Sequence, residues 1–423
     1  MIKPNGNPLI PYTKTVLPGG YTLLHKEVRT APIAAIDIWI KAGAIDDPKP
    51  HYGLSHFFEH MFFKGTERHG VGVMDRIITS LGGYNNAATS LDYTHYFVVL
   101  PSPGWKEALD VLADSLHHPL FQIEEIERER SVIIEEIKRH EDNPWSKIYD
   151  EFTSTTFARC PYRRKVLGTE ESLHTISRES FLNYHRERYH PGNITISLVG
   201  DLSLAEVRDE LGRLLQSSNP SATGVVAADA EERWDVIGEP GETVLTRDVN
   251  QAYLLIGFPT PKITGTRDEY ALELLATILG EGRSSRLYRR LNDELGIVSS
   301  ISCNSWILAQ AGLFLIEAVT EKARLDQVEK EIDNELKRVR ESIQPDELAK
   351  AKSMSRADFA FSNEKVISIA HTYGYGHVTS SVEHAVHYQE KLEEITRDDI
   401  ERTFDRLIAS ERRCRGLLVP KTG

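Results

Sequence analysis

Ile176-Ser177-Arg178-Glu179 and Ile395-Thr396-Arg397-Asp398 are two versions of one tetrapeptide, and reading them as a pair decides the fold. In each, a hydroxylic residue follows an isoleucine and precedes two charged residues, the pattern of an N-cap opening a helix. Positions 176 and 395 define an offset of 219 residues. The same offset carries the strand-like Ile196–Val199 onto Arg415–Leu418 and the strand-like Ile33–Trp39 onto Ala252–Phe258, without gaps. The chain therefore reads as an internal duplication.

Residues 216–242, rich in Ser, Pro, Gly, Ala and acidic side chains, separate the two halves as a linker. The expected organisation is an N-terminal domain over 1–215 and a homologous C-terminal domain over 243–423. In the first half, apolar patterning predicts strands near 22–27, 33–42, 84–89, 92–100 and 193–199, with helices near 52–64, 72–81, 103–117, 123–142 and 177–187. Helical patterns at 266–280, 322–342, 345–360 and 380–393 repeat the alternation in the second half. The fold class is α+β: two homologous domains, each a mixed, mostly antiparallel sheet covered by helices.

The bulk numbers agree with two ordinary globular cores. At 423 residues the chain exceeds the size at which a single core keeps growing, and 40% hydrophobic with 27% charged residues excludes a disordered chain. A formal charge of −13 argues against nucleic acid as a partner, since phosphate binding needs concentrated Lys and Arg. The first twenty residues are broken by Pro4, Pro8, Pro11 and Pro18 and hold no apolar run resembling an export signal. No stretch reaches membrane-spanning length, and Cys160, Cys303 and Cys414 are isolated, so a soluble cytoplasmic protein without a membrane partner is expected.

The chemistry concentrates in His56-Phe57-Phe58-Glu59-His60. Two histidines four positions apart on a helix lie on one face, one turn apart, so both imidazoles reach one ion. Glu59 borders that face at a general-base position, able to hold a water rather than coordinate metal. A hydrolytic zinc site takes three protein ligands, so a third must come from elsewhere, and the predicted helix over Glu127–His140 offers Glu129, Glu135 and Glu136. Spacing leaves the choice open. The duplication supplies an internal control, because the offset maps His56, Glu59 and His60 onto Leu275, Ile278 and Leu279. A face that is apolar in one copy and ionisable in the other is costly unless the ionisable groups are paired or metal-bound.

These residues resemble the inverted zinc-peptidase family of the pitrilysin and mitochondrial processing peptidase type, whose signature is His-x-x-Glu-His. The resemblance extends through Gly53–Thr66, Gly82–Thr89, Glu129–Ile137 and Tyr189–Asn193. It implies that Glu136 is the third ligand beside His56 and His60, that Glu59 is the catalytic base and that Glu129 is a supporting acid near the site. It further implies that Gly83–Thr89 is an edge strand to which an extended peptide adds, with Gly83, Asn86, Ala87 and Thr89 at the substrate. One Zn²⁺ per chain is implied, although two imidazoles and a carboxylate also suit divalent cobalt or manganese.

Active relatives carry an Arg and, seven residues later, a Tyr where this chain has Asn292 and Ser299, with Arg289 and Arg290 nearby. Half-length members of the family work as pairs, and some divide zinc from the Arg/Tyr pair between subunits. The expected protein is thus a zinc metalloendopeptidase acting on peptides or unfolded segments. Its expected partner is a paralogous subunit that supplies the Arg and Tyr, with a homodimer as the other arrangement. The competing reading is a non-catalytic structural or scaffolding subunit of the same fold.

Overall fold

The computed structural model describes residues 10–157, 159–215, 241–409 and 412–421. Its strands are β1 (Thr13–Val16), β2 (Thr22–Glu27), β3 (Ile33–Ile40), β4 (Tyr84–Thr89), β5 (Thr94–Pro101), β6 (Ile194–Gly200), β7 (Glu242–Arg247), β8 (Ala252–Thr260), β9 (Ser300–Ile307), β10 (Gly312–Thr320) and β11 (Cys414–Pro420). Helices α1 (Leu54–Phe62), α2 (Val73–Ser80), α3 (Trp105–His117), α4 (Ile123–Asp142), α5 (Pro144–Thr156), α6 (Glu170–Thr175), α7 (Arg178–Arg188) and α8 (Leu204–Leu215) belong to the first half of the sequence. The second half contributes α9 (Arg267–Gly280), α10 (Leu325–Glu341), α11 (Pro345–Ser362), α12 (Val366–Thr379), α13 (Val382–Glu393) and α14 (Arg397–Thr403).

The two sheets carry the duplication in their strand order. One runs β1-β2-β6-β3-β5-β4 and the other β7-β11-β8-β10-β9, so the second repeats the first without its outermost strand. In both, one pair is parallel, β2 with β6 and β7 with β11, and the other neighbours are antiparallel. The repeated tetrapeptides are N-caps in each copy. Ser177 Oγ accepts from Ser180 N at the start of α7, and Thr396 Oγ1 accepts from Asp399 N at the start of α14.

Cross-strand register corrects one placement of the repeat. Asp37 on β3 pairs with Ser197 and Phe97, while Leu255 on β8 pairs with Gly416 and Glu317. Ser197 and Gly416 keep the offset of 219, so Asp37 corresponds to Leu255 and not to Ile256. A one-residue slip in a strand exchanges its two faces, which is why strand pairing and not linear spacing must set the comparison.

The division into contiguous halves does not describe the packing. Among the described residues, one compact unit comprises 10–137, 164–215 and 360–387, and the other 138–163, 241–359 and 388–421. The cause is an exchange of equivalent helices: α12, from the second half, packs on β3 and β6, and α5, from the first half, packs on β7, β8 and β11. Apolar residues on both faces of β3 and β8 require such a cover, since these strands are buried almost throughout. Neither helix was expected from patterning. Pro144 opens α5 at its first turn, capped by Asn143 Oδ1, which accepts from Trp145 N and Ser146 N. Gly374 and Gly376 depress the helical signal of α12, yet a Cβ at Gly374 would lie 2.1 Å from Trp39 Nε1, so glycine is what lets the helix rest on the sheet. Strand β1 and helices α6 and α8 were also unanticipated. The proposed linker, 216–242, lies outside the described residues except for its last two positions, and Glu242 already begins β7. Among the described residues, no helix is long and apolar enough to cross a membrane.

Candidate metal centre

Helix α1 is short and fixed at its start. Gly53 takes a left-handed φ of 91°, and the buried Asp47 carboxylate accepts from Gly53 N at 2.7 Å and Ser55 N at 2.9 Å, capping the first turn. Phe57, Phe58, Met61 and Phe62 are buried in the core of the first unit. Each such side chain contributes about 1.5–3 kcal/mol on transfer from water, which sets the rotation of the helix about its axis. The opposite edge, carrying His56 and His60, is thereby directed at α4.

On α4 the residue that meets the pair is Glu136. Its Oε2 lies 3.8 Å from His56 Nε2 and 3.7 Å from His60 Nε2, and one ligand atom from each of the three residues lies within 4.8 Å of the others. These separations are too long for hydrogen bonds. They suit three ligands around one ion. Glu129, two turns earlier on α4, takes a different place, with Oε2 3.1 Å from His60 Nδ1 and Oε1 2.7 Å from Lys64 Nζ. A carboxylate can only accept, so His60 carries its proton on Nδ1 and turns the Nε2 lone pair toward Glu136. Burial works against ionisation of Glu129, but the bonds from His60 and Lys64 prevail and hold its carboxyl below the ordinary range.

His56 is buried, and burial together with the neighbouring His60 drives its pKa down to about 3. Its imidazole is therefore neutral and able to coordinate. Its Nδ1 is buried without a hydrogen-bond partner among the described residues. Glu59 sits beside the triad, and Thr89 Oγ1 donates to its Oε2 at 2.5 Å. Burial raises the Glu59 pKa above the usual carboxylate value, against the lowering pull of Thr89, His60 and His95. That shift moves it toward the range of a working general base.

Among the described residues, strand β4 is the last in its sheet and pairs only with β5. Ala87 N is engaged by the side chain of its own neighbour, Asn86 Oδ1, at 2.9 Å, so Ala87 turns its N–H toward the open edge. By the two-residue period, Asn85 and Thr89 share that orientation, while Asn86 contributes through its side chain and Gly83, just before the strand, gives its N–H to Ile78 O at 2.9 Å. Gly83 is explained by packing: a Cβ there would come within 2.7 Å of Leu100 Cβ. The Thr89 hydroxyl serves Glu59, a role patterning had not distinguished from substrate contact.

In the second unit the positions corresponding to the metal face, Leu275, Ile278 and Leu279, are all buried apolar residues. Asn292 Nδ2 donates to Val298 O at 3.1 Å, and Ser299 Oγ donates to Val319 O at 3.2 Å and accepts from Gln251 Nε2. Arg290 is paired with Glu331 and Glu294, each at 3.0 Å, and Arg289 is exposed.

Residues 22–170 match the family model described as insulinase (peptidase family M16), and residues 175–355 match that of the peptidase M16 inactive domain. A Rickettsia bellii protein named "uncharacterized zinc protease" is 29% identical over 350 residues, 83% of either chain. The Bacillus subtilis "uncharacterized zinc protease YmxG" is 29% identical over 351 residues, 82% of this chain and 84% of that one. The crystal structure of a protease from Helicobacter pylori superposes with a TM-score of 0.90 at 23% identity, covering 97% of this chain and 100% of the other.

Proposed function

The chain belongs to the pitrilysin-type M16 peptidase family as a half-length member, and from that premise we propose that it is the zinc-bearing subunit of a metalloendopeptidase. The observation that carries this reading is the convergence of His56 Nε2, His60 Nε2 and Glu136 Oε2 beside a half-buried Glu59. The donor set fits zinc: two imidazoles and one carboxylate converge, and a second carboxylate, Glu129, orients His60 from behind. When bound, zinc supplies a Lewis acid that polarises the scissile carbonyl and acidifies a water.

The remaining work falls to the chain. Thr89 holds Glu59 Oε2, leaving Oε1 to accept the proton of the attacking water and pass it to the departing amine. Glu129 orients His60 and does not itself touch the reacting atoms. The open edge of β4 lets a peptide or unfolded segment add as a further strand through main-chain bonds, which fixes the scissile bond near Ala87 and leaves side-chain selection to pockets. Asn292 and Ser299 are committed to main-chain carbonyls, so donors to the developing oxyanion come from a paralogous partner carrying the Arg/Tyr pair. Loss of one such donor costs about 10²–10³ in rate.

The test is substitution of the base. Glu59→Gln keeps zinc and abolishes hydrolysis of a quenched peptide by the assembled pair, while His60→Ala loses the metal. Hydrolysis persisting in Glu59→Gln would sink the assignment.

A further inference from the structure

On the sheet face opposite α1, a second group of ligand-type side chains gathers in the first unit. Asp37 on β3, His95 on β5 and His371 on α12 each bring one ligand atom within 4.8 Å of the other two. Asp37 Oδ1 is 3.0 Å from His95 Nδ1, and Asp37 Oδ2 is 3.5 Å from His371 Nε2. Asp37 is fully buried, His95 is 7% exposed, and the His371 side chain is 35% exposed. Trp39 stacks on His95 at a centroid distance of 4.2 Å, and Phe97 closes the group at 5.7 Å from His95 and 5.0 Å from His371.

Two of these atoms, Asp37 Oδ2 and His371 Nε2, are buried with no hydrogen-bond partner among the described residues. Leaving a buried carboxylate oxygen and a ring nitrogen unsatisfied is expensive, so the pair calls for something between them. The duplication shows what this place holds when nothing polar is needed. By strand pairing, Asp37 corresponds to Leu255 and His95 to Leu315, and Ser197 beside them to Gly416. Leu255 and Leu315 are buried, and the Phe152 ring of α5 fills the corresponding patch, against Gly257 and Gly416. The fold accepts an apolar contact between sheet and helix here. The first unit instead has a carboxylate and two imidazoles.

We infer that Asp37, His95 and His371 form a second divalent-metal site of the zinc class, which clamps α12 to the sheet of the first unit. One carboxylate oxygen of Asp37 faces each imidazole, Oδ1 at 3.0 Å and Oδ2 at 3.5 Å, close to the roughly 3.3 Å expected between neighbouring ligand atoms held about 2.0–2.1 Å from one tetrahedral ion. The ion replaces the proton shared by Asp37 and His95 and engages His371 Nε2. The partial exposure of His371 gives it a way in. Aromatic rings on the other sides make the site structural rather than catalytic.

The site is independent of the peptidase reading, and metal counting separates the two. The full chain is loaded with zinc, desalted and analysed for metal per chain. Wild type is expected to retain two equivalents, His60→Ala one and His371→Gln one. Cobalt loaded into the His60→Ala chain should give the visible absorption of a tetrahedral nitrogen-oxygen site, abolished by adding His371→Gln. A His60→Ala chain without metal, or a His371→Gln chain that still holds two equivalents, overturns the proposal.

Discussion

Glu129 offers the sharpest separation between orienting a ligand and taking part in the reaction. The residue is 6% exposed, and its carboxylate spans His60 Nδ1 at 3.1 Å and Lys64 Nζ at 2.7 Å. Glu129→Gln retains an acceptor for His60 Nδ1–H but removes the charge that faces the imidazole and neutralises Lys64. Glu129→Ala removes the acceptor as well and leaves both donors facing a cavity. Loss of a carboxylate behind a metal-bound histidine weakens metal by about 10–100-fold, or about 1.4–2.7 kcal/mol. Gln should fall at the lower end and Ala at the upper. Zinc affinity is read by competition with a chromophoric chelator, and peptide hydrolysis is read separately with zinc held in excess. The expected result is an affinity loss ordered wild type, Gln, Ala, with kcat at saturating zinc changed only a few-fold in Glu129→Gln. Unchanged affinity in Glu129→Ala would refute the orienting role, and unchanged affinity with lost kcat would make Glu129 a catalytic group.

Three further outcomes follow from the same geometry. Gly374→Ala gains about 1 kcal/mol of helix propensity but places a Cβ 2.1 Å from Trp39 Nε1 and should destabilise by about 1–2 kcal/mol net, whereas Gly212→Ala on α8, with nothing within 4 Å, should stabilise by about 0.5–1 kcal/mol; equal denaturation midpoints for the two would defeat the packing argument. Thr89→Val removes a hydrogen bond that lowers the Glu59 pKa, so the acid limb of kcat/KM should move to higher pH, and a limb that stays put would show that Glu59 is not the titrating base. Asp399 is held below its ordinary pKa by Arg267, with burial opposing and Thr396 and Arg402 assisting. Its contribution to stability is thus present above about pH 4 and lost as the pH falls, so Arg267→Gln should lower stability near neutrality, leave it little changed at low pH and thereby flatten the acid side of a stability profile.

Much of the site was legible because its parts are local. His56, Glu59 and His60 occupy two turns of one helix, and their facing direction follows from the apolar residues between them. The strands and the order of the repeat were visible in alternation and in the two N-caps. The choice of Glu136 over Glu129 and Glu135 was not, because it depends on how α4 lies against α1, which no spacing within α4 records. The helices α5 and α12 escaped for a related reason. Pro144 and Gly374 read as breakers when only neighbours along the chain are considered, and become intelligible once Asn143 caps α5 and Trp39 occupies the place of a Cβ. The Asp37, His95 and His371 group joins two strands and a helix far apart in sequence, so nothing short of the fold could assemble it. The one-residue slip at β3 was hidden by the same limitation, since an offset counts residues and a sheet counts faces.

The exchange of α5 and α12 also bears on how the chain is made. Emerging from a ribosome, the first half can form its strands and α1 early, but the face of β3 and β6 that carries Asp37, Trp39 and Ser197 stays uncovered until residues 366–379 have been synthesised. At about 5–20 residues per second, the interval between residue 215 and residue 379 is roughly 10–30 s, long enough for an uncovered sheet to find the wrong partner. The first unit, which holds the candidate metal centre, is therefore among the last parts of the molecule to be completed, although most of it is written first.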